Sequence, residues 1–315
     1  MTERGDKTSG DSLPMSLAVI LINWRDEGQT LQCVEEVRNW LSINPNIIVI
    51  DNESSTNSQA TLAKTLLPHE LICSDSNLGY AGGNNLAIKQ ALAGKDRYIL
   101  LLNTDAQVSE KSMMALLATM NDNPEISILG PVIYEGEAGN TKCLVGGRDI
   151  AQHASTRIEA SPEALATIPG YPLHDVDYVS GTVLLARSSV FEQLGLLDEQ
   201  YFFSGEIADF CKRAKNEGHK ACVDLNVEAF HDTGKTPSQR RETLYTYYSL
   251  RNRFLYVRKH YASRKLRYFI RWTTTGLSAL AKSIVARNTS RSRAIFLAVV
   301  HGLANRIGNQ NARFE

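Results

Sequence analysis

Long apolar runs are missing from this sequence of 315 residues, and none approaches the roughly 20 residues that a membrane-spanning helix requires. An excess of either charge is also missing, because 34 Lys and Arg residues balance 34 Asp and Glu residues. The first absence argues against a helical membrane protein, and the second gives no indication of a nucleic-acid partner. The opening MTERGDKTSGDSLP lacks the apolar core of a signal peptide, so we expect residues 1–14 to form a disordered tail.

Closely spaced cysteine pairs are absent, although the chain has five cysteines. The cysteines are odd in number, scattered along the chain and never spaced as C-x-x-C. This distribution predicts a reduced, cytoplasmic protein. The five residues are Cys33, Cys73, Cys143, Cys211 and Cys222.

Acidic residues are missing from the last part of the chain, where none occurs between Arg264 and Glu315 and basic residues are frequent. Apolar residues in Ala262–Gly308 recur at helical spacing, which predicts two basic amphipathic helices. We therefore expect residues 262–315 to form a basic helical extension with an anionic surface as neighbour. Two interpretations stay open: peripheral contact with an anionic membrane at the inner face of the cell membrane, or packing on the rest of the chain or in a homodimer.

Short apolar runs alternate with stretches of helical periodicity in the first third of the chain. Ser16–Asn23, Asn46–Asn52 and Tyr98–Asp105 are rich in apolar and branched residues and predict strands. A helix is expected between the first two strands, and Asn84–Leu92 predicts another. Strand and helix in repeated succession predict an α/β fold with a mostly parallel central sheet flanked by helices.

The rest of the chain gives less regular patterns. Tyr134–Tyr178 contains Gly, Pro and acidic residues without periodicity and predicts a long irregular segment around a cleft. Tyr178–Gly195 predicts a buried strand followed by a short helix, and Glu217–Asp232 predicts a pair of strands ending at His231. Glu242–Tyr261 has strongly helical spacing.

Polar residues follow each of the first three predicted strands: Asn23-Trp24, Asp51-Asn52 and Asn103-Thr104-Asp105. In a parallel sheet these ends meet at one edge, which is where such sheets bind ligands. Asp105 could hold a hard divalent cation that bridges substrate phosphates and stabilises a departing diphosphate. His231 is a weaker candidate for a further Mn²⁺ ligand, because a lone histidine is more often structural.

A glycine cluster, NLGYAGGNN at residues 77–85, precedes a predicted helix. Gly79, Gly82 and Gly83 would let the backbone approach a phosphate or a sugar near the helix N-terminus. The spacing is not G-x-G-x-x-G, which disfavours a nicotinamide-dependent oxidoreductase. A nucleotidyltransferase is also disfavoured, because NWRDEGQ after the first strand is not a glycine-rich basic loop. A plain glycine turn capping a helix stays open as a structural explanation.

Seven segments follow one another in order along Ser16–Tyr261: VILINW, VIDNESS, NLGYAGGNN, LLLNTDAQV, SGTVLLARSSVFEQLGLLDEQYF, FHDTG and YYSLRNRFLYVRKHY. In this order they resemble the family 2 glycosyltransferases of the GT-A fold, in the bacterial rhamnosyltransferase-like branch. The resemblance implies a glycosyltransferase domain over residues 15–261. It also implies inverting transfer from dTDP-rhamnose or a UDP-sugar to a glycan or polyprenyl-linked acceptor in surface polysaccharide synthesis, with Mn²⁺ or Mg²⁺ as cofactor.

The same resemblance implies roles for individual residues. Asp51 corresponds to the acid that contacts the nucleotide base, and Gly181 to a small residue on the acceptor side. Asp105 and His231 correspond to the metal ligands. The residues implied in donor nucleotide binding are Asn23, Trp24, Asp51, Asn77, Gly79, Gly82, Gly83, Asn84, Asn103 and Thr104.

One stretch departs from the family pattern at the position usually taken as the general base. The pattern is Glu-Asp-x-Asp, and here Ile207 stands between Glu206 and Asp209, where the base is expected. Glu206 or Asp209 could take the acceptor's proton instead, or a water or the acceptor's own phosphate could assist. The protein could also bind sugar nucleotides without turnover. A minor departure is Thr56, where the family often has Asp.

Overall fold

The computed structural model describes residues 16–136, 141–232 and 239–314, so the expected disordered tail lies outside the described residues. The strands are β1 (Leu17–Asn23), β2 (Asn46–Asn52), β3 (Leu71–Ser74), β4 (Tyr98–Leu102), β5 (Ala106–Gln107), β6 (Ile126–Glu135), β7 (Lys142–Gly147), β8 (Arg157–Ala160), β9 (Leu173–Asp175), β10 (Val183–Arg187) and β11 (Lys220–His231). The helices are α1 (Glu27–Arg38), α2 (Thr56–Thr65), α3 (Gly79–Ala93), α4 (Glu110–Asp122), α5 (Ser188–Leu194), α6 (Glu206–Asn216), α7 (Gln239–His260), α8 (Lys265–Val285) and α9 (Thr289–Leu303).

A central sheet organises the fold, with its main strands in the order β3-β2-β1-β4-β10-β6-β11-β5. β1 is parallel to β2 and β4, β2 is parallel to β3, and β6 is parallel to β11. β10 is antiparallel to both β4 and β6, so β4 and β6 run in the same direction. The expected mostly parallel sheet is confirmed. Its parallel strands end at one edge, and the amino end of β10 lies at that edge as well.

Helices cover both faces of the sheet because the strand side chains alternate between them. Leu17, Val19 and Leu21 of β1 pack with α1 and α4 on one face. Ala18 and Ile20 pack with α3, α5 and α6 on the other. All five side chains are at most 2% exposed, and the burial of apolar surface on both faces stabilises this layered arrangement.

Two expectations for the second half of the sheet are wrong. Tyr134–Tyr178 is not irregular throughout, because β7 pairs with β6 and β8, and β9 pairs with β11. Glu217–Asp232 contains the single strand β11 (Lys220–His231) rather than two strands, and its pairing with β6 has a register shift between Asp224 and Glu228. The strand and short helix expected over Tyr178–Gly195 are confirmed as β10 and α5.

The helix expected over Glu242–Tyr261 is confirmed as α7, and the two expected C-terminal helices are confirmed as α8 and α9. Both of these helices pack against α7. Phe254 of α7 shares a buried cluster with Trp272 of α8, and Tyr248 of α7 shares another with Ala298 of α9. Of the helices described here, none combines the length and apolar character needed to cross a membrane.

Candidate active site

The sheet edge at which the parallel strands end gathers most of the predicted site residues. Asn23 is the last residue of β1, and Asp51 is the penultimate residue of β2. Asp105 lies in the turn after β4, and His231 ends β11. Gly181 lies just before β10, whose amino end is at the same edge. The cleft therefore follows from the strand directions.

Asn23 and Asp51 form a buried polar pair between β1 and β2. Nδ2 of Asn23 donates to Oδ1 of Asp51 at 2.7 Å, and Nε2 of Gln59 donates to Oδ2 of Asp51 at 3.0 Å. Oγ1 of Thr30 donates to Oδ1 of Asn23 at 2.8 Å, which fixes the orientation of the amide. The parallel register places Asn23 opposite Asp51. Trp24, the next residue, is 42% exposed.

Asn52 holds the glycine segment that leads into α3. Its Oδ1 accepts from the backbone N–H of Leu78 at 2.9 Å, and its Nδ2 donates to the carbonyl of Gly79 at 3.1 Å. Oδ1 of Asn77 accepts from the N–H of Gly79 at 2.8 Å. Gly79 has a φ of +71°, and a Cβ there would lie 2.2 Å from the carbonyl oxygen of Phe202. This position therefore requires glycine.

Gly82, Gly83 and Asn84 lie inside α3 and are surrounded by protein. A Cβ on Gly82 or Gly83 would lie 2.8 or 3.2 Å from a neighbouring side chain. Nδ2 of Asn84 donates to the carbonyl of Tyr80 at 2.9 Å, one turn earlier. In this structure these three residues shape the helix and its packing, whereas Asn77 borders an open pocket.

Asn103 and Thr104 form the turn that carries Asp105 out of β4. The backbone N–H of Asn103 donates to the carbonyl of Thr182 at 2.9 Å, and its own carbonyl accepts from the N–H of Ala106 at 3.0 Å. The turn is thereby tied to the start of β10, and Asp105 stays partly exposed at the sheet edge.

Asp105 and His231, the predicted metal ligands, meet at this edge. Nε2 of His231 lies 3.3 Å from Oδ1 of Asp105, and Nδ1 lies 3.0 Å from Oε1 of Glu135. Although burial disfavours a charged ring, hydrogen bonds to these two carboxylates raise the pKa of His231 to about 9. Glu135 also forms an ion pair with Arg157, which fixes the carboxylate that orients the imidazole ring of His231.

The donor set at this point suits a divalent ion that is shared with a substrate. Over the three described ranges, no group of three or more His, Cys, Asp or Glu residues could enclose a metal ion. Asp105 and His231 offer one oxygen and one nitrogen, which fits Mn²⁺ when diphosphate and water fill the other positions. Their side chains are 21% and 18% exposed, so a ligand in the cleft can reach both.

Gly181 lies where α3 and α6 approach the amino end of β10. The hydroxyl of Tyr80 donates to the carbonyl of Gly181 at 2.8 Å. A Cβ on Gly181 would lie 3.0 Å from that hydroxyl and 3.2 Å from Cγ1 of Ile207. A small residue is therefore favoured here, and it brings the glycine segment and the start of α6 together.

α6 begins at Glu206, directly after Gly205, which has a φ of +104°. Ile207 is 6% exposed and packs in the same apolar cluster as Phe210, so its predicted core position is confirmed. Glu206 is 5% exposed, and in the described part of the chain its Oε2 has no hydrogen-bond partner. Burial raises the pKa of Glu206 to about 7; its backbone N–H opposes this shift, and the charge of Asp209 adds to it.

Asp209 has the opposite electrostatic environment. Its Oδ1 lies 2.6 Å from Nζ of Lys259 and 2.8 Å from Nε2 of His260, and its Oδ2 accepts from Nε of Arg213 at 3.0 Å. Although burial opposes it, the hydrogen bond from His260 and the charges of Lys259 and Arg213 hold the pKa of Asp209 well below its usual value. The two acids of α6 therefore differ, and Glu206 is the stronger base.

Two adjacent residues of α7, Arg251 and Asn252, organise the loop before α6, and the sequence pattern did not assign them this role. Nδ2 of Asn252 donates to the carbonyls of Tyr201, Phe203 and Ser204 at 3.0, 2.9 and 2.5 Å. Arg251 is 1% exposed and donates to the carbonyl of Tyr201 at 2.8 Å. The available signal was a pair of polar residues at core positions of an aromatic helix, because buried polar groups need partners.

A pocket of about 510 Å³ lies beside the ends of β1, β2 and β3. Trp24 and Arg25 from the β1 end, Glu53 from the β2 end and Asn77 before α3 form one side. Residues 309–313 and Arg240 also line it. Pockets of this size hold ligands as large as a nucleotide.

This sheet, with β10 reversed between parallel strands and a polar cleft at the strand ends, defines the class: the fold is that of the GT-A glycosyltransferases. The mannosyltransferase PcManGT from Pyrobaculum calidifontis, solved in complex with GDP-Man and Mn²⁺, matches it with a TM-score of 0.59. The match covers 94% of this chain and 89% of that one, at 11% identity.

Residues 18–161 match the family model described as Glycosyl transferase family 2. The chain is 27% identical over 305 residues to the low-salt glycan biosynthesis hexosyltransferase Agl10 of Haloferax volcanii, covering 93% of this chain and 92% of that protein. It is 26% identical over 290 residues to the N-acetylglucosaminyl-diphospho-decaprenol L-rhamnosyltransferase of Mycobacterium tuberculosis, covering 81% and 88%. The chain therefore contains a match to the Glycosyl transferase family 2 model and is similar to proteins named as a hexosyltransferase and a rhamnosyltransferase, and the resemblance seen in the sequence is confirmed.

Proposed function

We propose that this glycosyltransferase is inverting and metal-dependent, and that it moves a sugar from a nucleoside diphosphate to a saccharide hydroxyl. The observation that carries the proposal is the approach of His231 to within 3.3 Å of Asp105. The pair of Asn23 and Asp51 lies at the same edge: Asn23 is on β1, which is adjacent to the strand that leads to Asp105, and Asp51 is on β2, the next strand beyond it. One nucleoside diphosphate spanning this edge could contact both groups.

Asp105 and His231 would hold Mn²⁺ or Mg²⁺, and the imidazole favours Mn²⁺. When bound, the ion would stabilise the negative charge that develops on the departing diphosphate. Glu135 acts on His231 as carboxylates commonly act on metal-binding histidines, by fixing the orientation of the ring. Trp24, which is 42% exposed, offers an aromatic face to the base of the donor.

Glu206 is the proposed general base that accepts the proton of the acceptor hydroxyl. Three observations support this role: its position at the start of α6 next to Ile207, which contacts Gly181, its Oε2 without a partner among the described residues, and its pKa of about 7. A base with such a pKa is half ionised near neutral pH. Asp209 is the second candidate, but its contacts with Arg213, Lys259 and His260 suit it better to fixing α6.

The alternative is a sugar-nucleotide-binding protein without turnover, because Ile207 replaces the usual base. A core role explains Ile207 without loss of activity, since it packs against Gly181 and the apolar cluster of α6. The two residues that correspond to the family's metal ligands, Asp105 and His231, are also present and lie next to each other. We therefore favour catalysis.

The donor and acceptor are proposed from the relatives. The relative from Mycobacterium tuberculosis is named a rhamnosyltransferase acting on a diphospho-decaprenol saccharide. For this protein we propose dTDP-rhamnose or a UDP-sugar as the donor and a polyprenyl-linked saccharide or glycan as the acceptor. This activity would serve the synthesis of surface polysaccharide.

The test combines donor binding with turnover. Purified protein is heated with dTDP-rhamnose, UDP-glucose and UDP-N-acetylglucosamine, with and without Mn²⁺, and release of nucleoside diphosphate is then measured with a lipid-linked acceptor. We expect one donor to raise the melting temperature only with Mn²⁺, because a ligand that binds the native state stabilises it.

Asp105→Asn should abolish the Mn²⁺-dependent increase and lower turnover by at least 100-fold, about the loss of one strong electrostatic contact in a transition state. Asp122→Asn, at an exposed position of α4, is the matched control and should behave as wild type. Mn²⁺-dependent stabilisation that survives in Asp105→Asn would contradict the proposed metal site.

The basic C-terminal helices are proposed to dock on an anionic membrane. Their exposed apolar residues include Leu266, Ile270, Leu277 and Ile284, which are 52 to 75% exposed. Basic residues surround them, and no acidic residue lies between Arg264 and Glu315. An amphipathic surface of this kind binds at the lipid headgroup level, which would bring the cleft to a lipid-linked acceptor on the cytoplasmic face of the membrane.

A further inference from the structure

The pocket of about 510 Å³ is lined in large part by residues that lie far along the sequence from residues 18–161, where the family model matches. Asn309, Gln310, Asn311, Ala312 and Arg313 all border it. We call residues 308–313 the C-terminal segment. This segment faces residues that follow β1, β2 and β3, which is the nucleotide side of the cleft.

We propose that the C-terminal segment forms the outer wall of the donor nucleotide pocket and that Arg313 binds the diphosphate of the donor. The inference rests on the proposed function, because it assigns the pocket to the same nucleoside diphosphate. It adds a binding residue that lies outside residues 18–161, where the family model matches.

The charge of the pocket fits an anionic ligand. Three arginines, Arg25, Arg240 and Arg313, line it together with one acid, Glu53. Arg25 and Glu53 are 3.8 Å apart on the exposed rim, so they largely neutralise each other. Nε of Arg313 donates to Oε1 of Gln310 at 3.1 Å, which orients the guanidinium and leaves its Nη edge for a phosphate.

The C-terminal segment is held in place by buried groups of α7. Arg251 donates through Nη1 to the carbonyls of Arg306 and Gly308, both at 3.1 Å. The hydroxyl of Tyr248 donates to Oδ1 of Asn311 at 2.9 Å and accepts from the N–H of Gln310 at 2.8 Å. A segment anchored at three successive points is a defined wall rather than a loose chain.

The same anchor reaches the loop before Glu206. The N–H of Gly308 donates to the carbonyl of Gln200 at 2.9 Å, and Nη2 of Arg251 donates to the carbonyl of Tyr201 at 2.8 Å. The guanidinium of Arg251 therefore links the C-terminal segment to the loop that leads to the proposed base. Donor binding and acceptor activation would depend on a common support.

The test measures binding of UDP, dTDP and GDP by calorimetry in the presence of Mn²⁺, in wild type and two variants. Arg313→Gln removes the charge, and Ala312→Trp fills the pocket from its wall. Both residues are exposed, so the fold should tolerate the changes. We expect Arg313→Gln to weaken the best nucleotide by about 10-fold or more, the usual loss for a hydrogen bond to a charged group, and Ala312→Trp to remove binding.

Arg291→Gln is the matched control, because Arg291 is an exposed arginine of α9 that does not line the pocket. It should bind as wild type does. If wild type binds a nucleotide and both pocket variants bind it equally well, this proposal is overturned and the glycosyltransferase assignment stands. If none of the three nucleotides binds to wild type with Mn²⁺, the proposed donor class fails and this proposal fails with it.

Discussion

At the residue scale, Glu206 and Ile207 at the start of α6 have different roles, one as the proposed base and the other as a core residue. Ile207 packs against Gly181 in the core. Glu206, the preceding residue, has a buried carboxylate whose Oε2 has no hydrogen-bond partner among the described residues. Burial of that carboxylate raises its pKa to about 7 and costs stability when it is ionised. A functional acid held at such a cost is typical of active sites.

Glu206→Gln should lower kcat/KM by roughly 100- to 10,000-fold, the usual contribution of a general base. In wild type, kcat/KM should rise with pH and level off above about pH 7, because only the ionised form of Glu206 accepts a proton. The variant should lose this rise. Glu217→Gln, an exposed position at the end of α6, is the control, and an unchanged pH profile in Glu206→Gln would assign the base elsewhere.

The same variant gives an independent reading of stability. The pKa of Glu206 is raised from 4.5 to about 7 in the folded chain, so the folded state binds this proton more tightly than the unfolded state. The associated stability is present below pH 4.5 and is lost as pH rises through 7. Glu206→Gln should therefore melt higher than wild type at pH 8, by an amount worth roughly 1–3 kcal/mol, and the difference should shrink at pH 5.

At the scale of elements, the loop before α6 depends on α7. Phe202, Ser204 and Gly205 all have positive φ values, at +64°, +67° and +104°. The first two are strained for residues with a side chain. Asn252 bonds three carbonyls of this loop and compensates for the strain.

Asn252→Ala should lower the free energy of unfolding by about 1–3 kcal/mol, because buried carbonyls lose their donor. We expect kcat to fall more than nucleotide affinity, because Asn252 holds the loop that carries Glu206, whereas Arg251 and Tyr248 hold the C-terminal segment of the pocket. Asn216→Ala, an exposed change at the end of α6, is the control. Equal kcat values in the two variants would show that the loop does not need this support.

The sequence allowed β1, β2, β4 and β10 and the helices α7, α8 and α9 to be predicted, because apolar periodicity is a local property, whereas β3, β6, α2 and α4 were not predicted. The parallel strands predicted that Asn23, Asp51 and Asp105 share one edge. His231 was paired with Asp105 only by the family resemblance, and the structure shows the two side chains 3.3 Å apart. β7, β8 and β9 could not be predicted, because their residues show no clear periodicity and their pairing depends on distant neighbours. Arg251 and Asn252 were missed for a related reason: they bind backbone carbonyls, which every residue offers and no pattern marks.

At the scale of the whole molecule, the C-terminal helices have one face on α7 and another face in solvent. Trp272 and Ala298 are buried on the inner side, whereas Leu266 and Ile270 are 75% and 56% exposed. A helix pair that only packed against α7 would not need exposed apolar side chains on its outer face. Its basic surroundings support the proposed membrane contact.

The double variant Leu266→Gln and Ile270→Gln should reduce binding to vesicles of phosphatidylserine and phosphatidylcholine by about 10-fold or more, because two apolar side chains no longer enter the lipid. Binding of wild type should also weaken in high salt. The measurement is co-sedimentation. Leu41→Gln removes an apolar residue that is 85% exposed elsewhere and is the control; equal sedimentation of the double variant and wild type would refute the contact.

Arg251 joins the carbonyls of Arg306 and Gly308 to that of Tyr201. This arrangement limits how the protein can be divided or recombined. A fragment ending at Tyr261 would keep the guanidinium buried without two of its acceptors and would uncover Tyr248 and Phe254. Chimeras that exchange the C-terminal helices between related transferases should therefore work only when α7 is exchanged together with them.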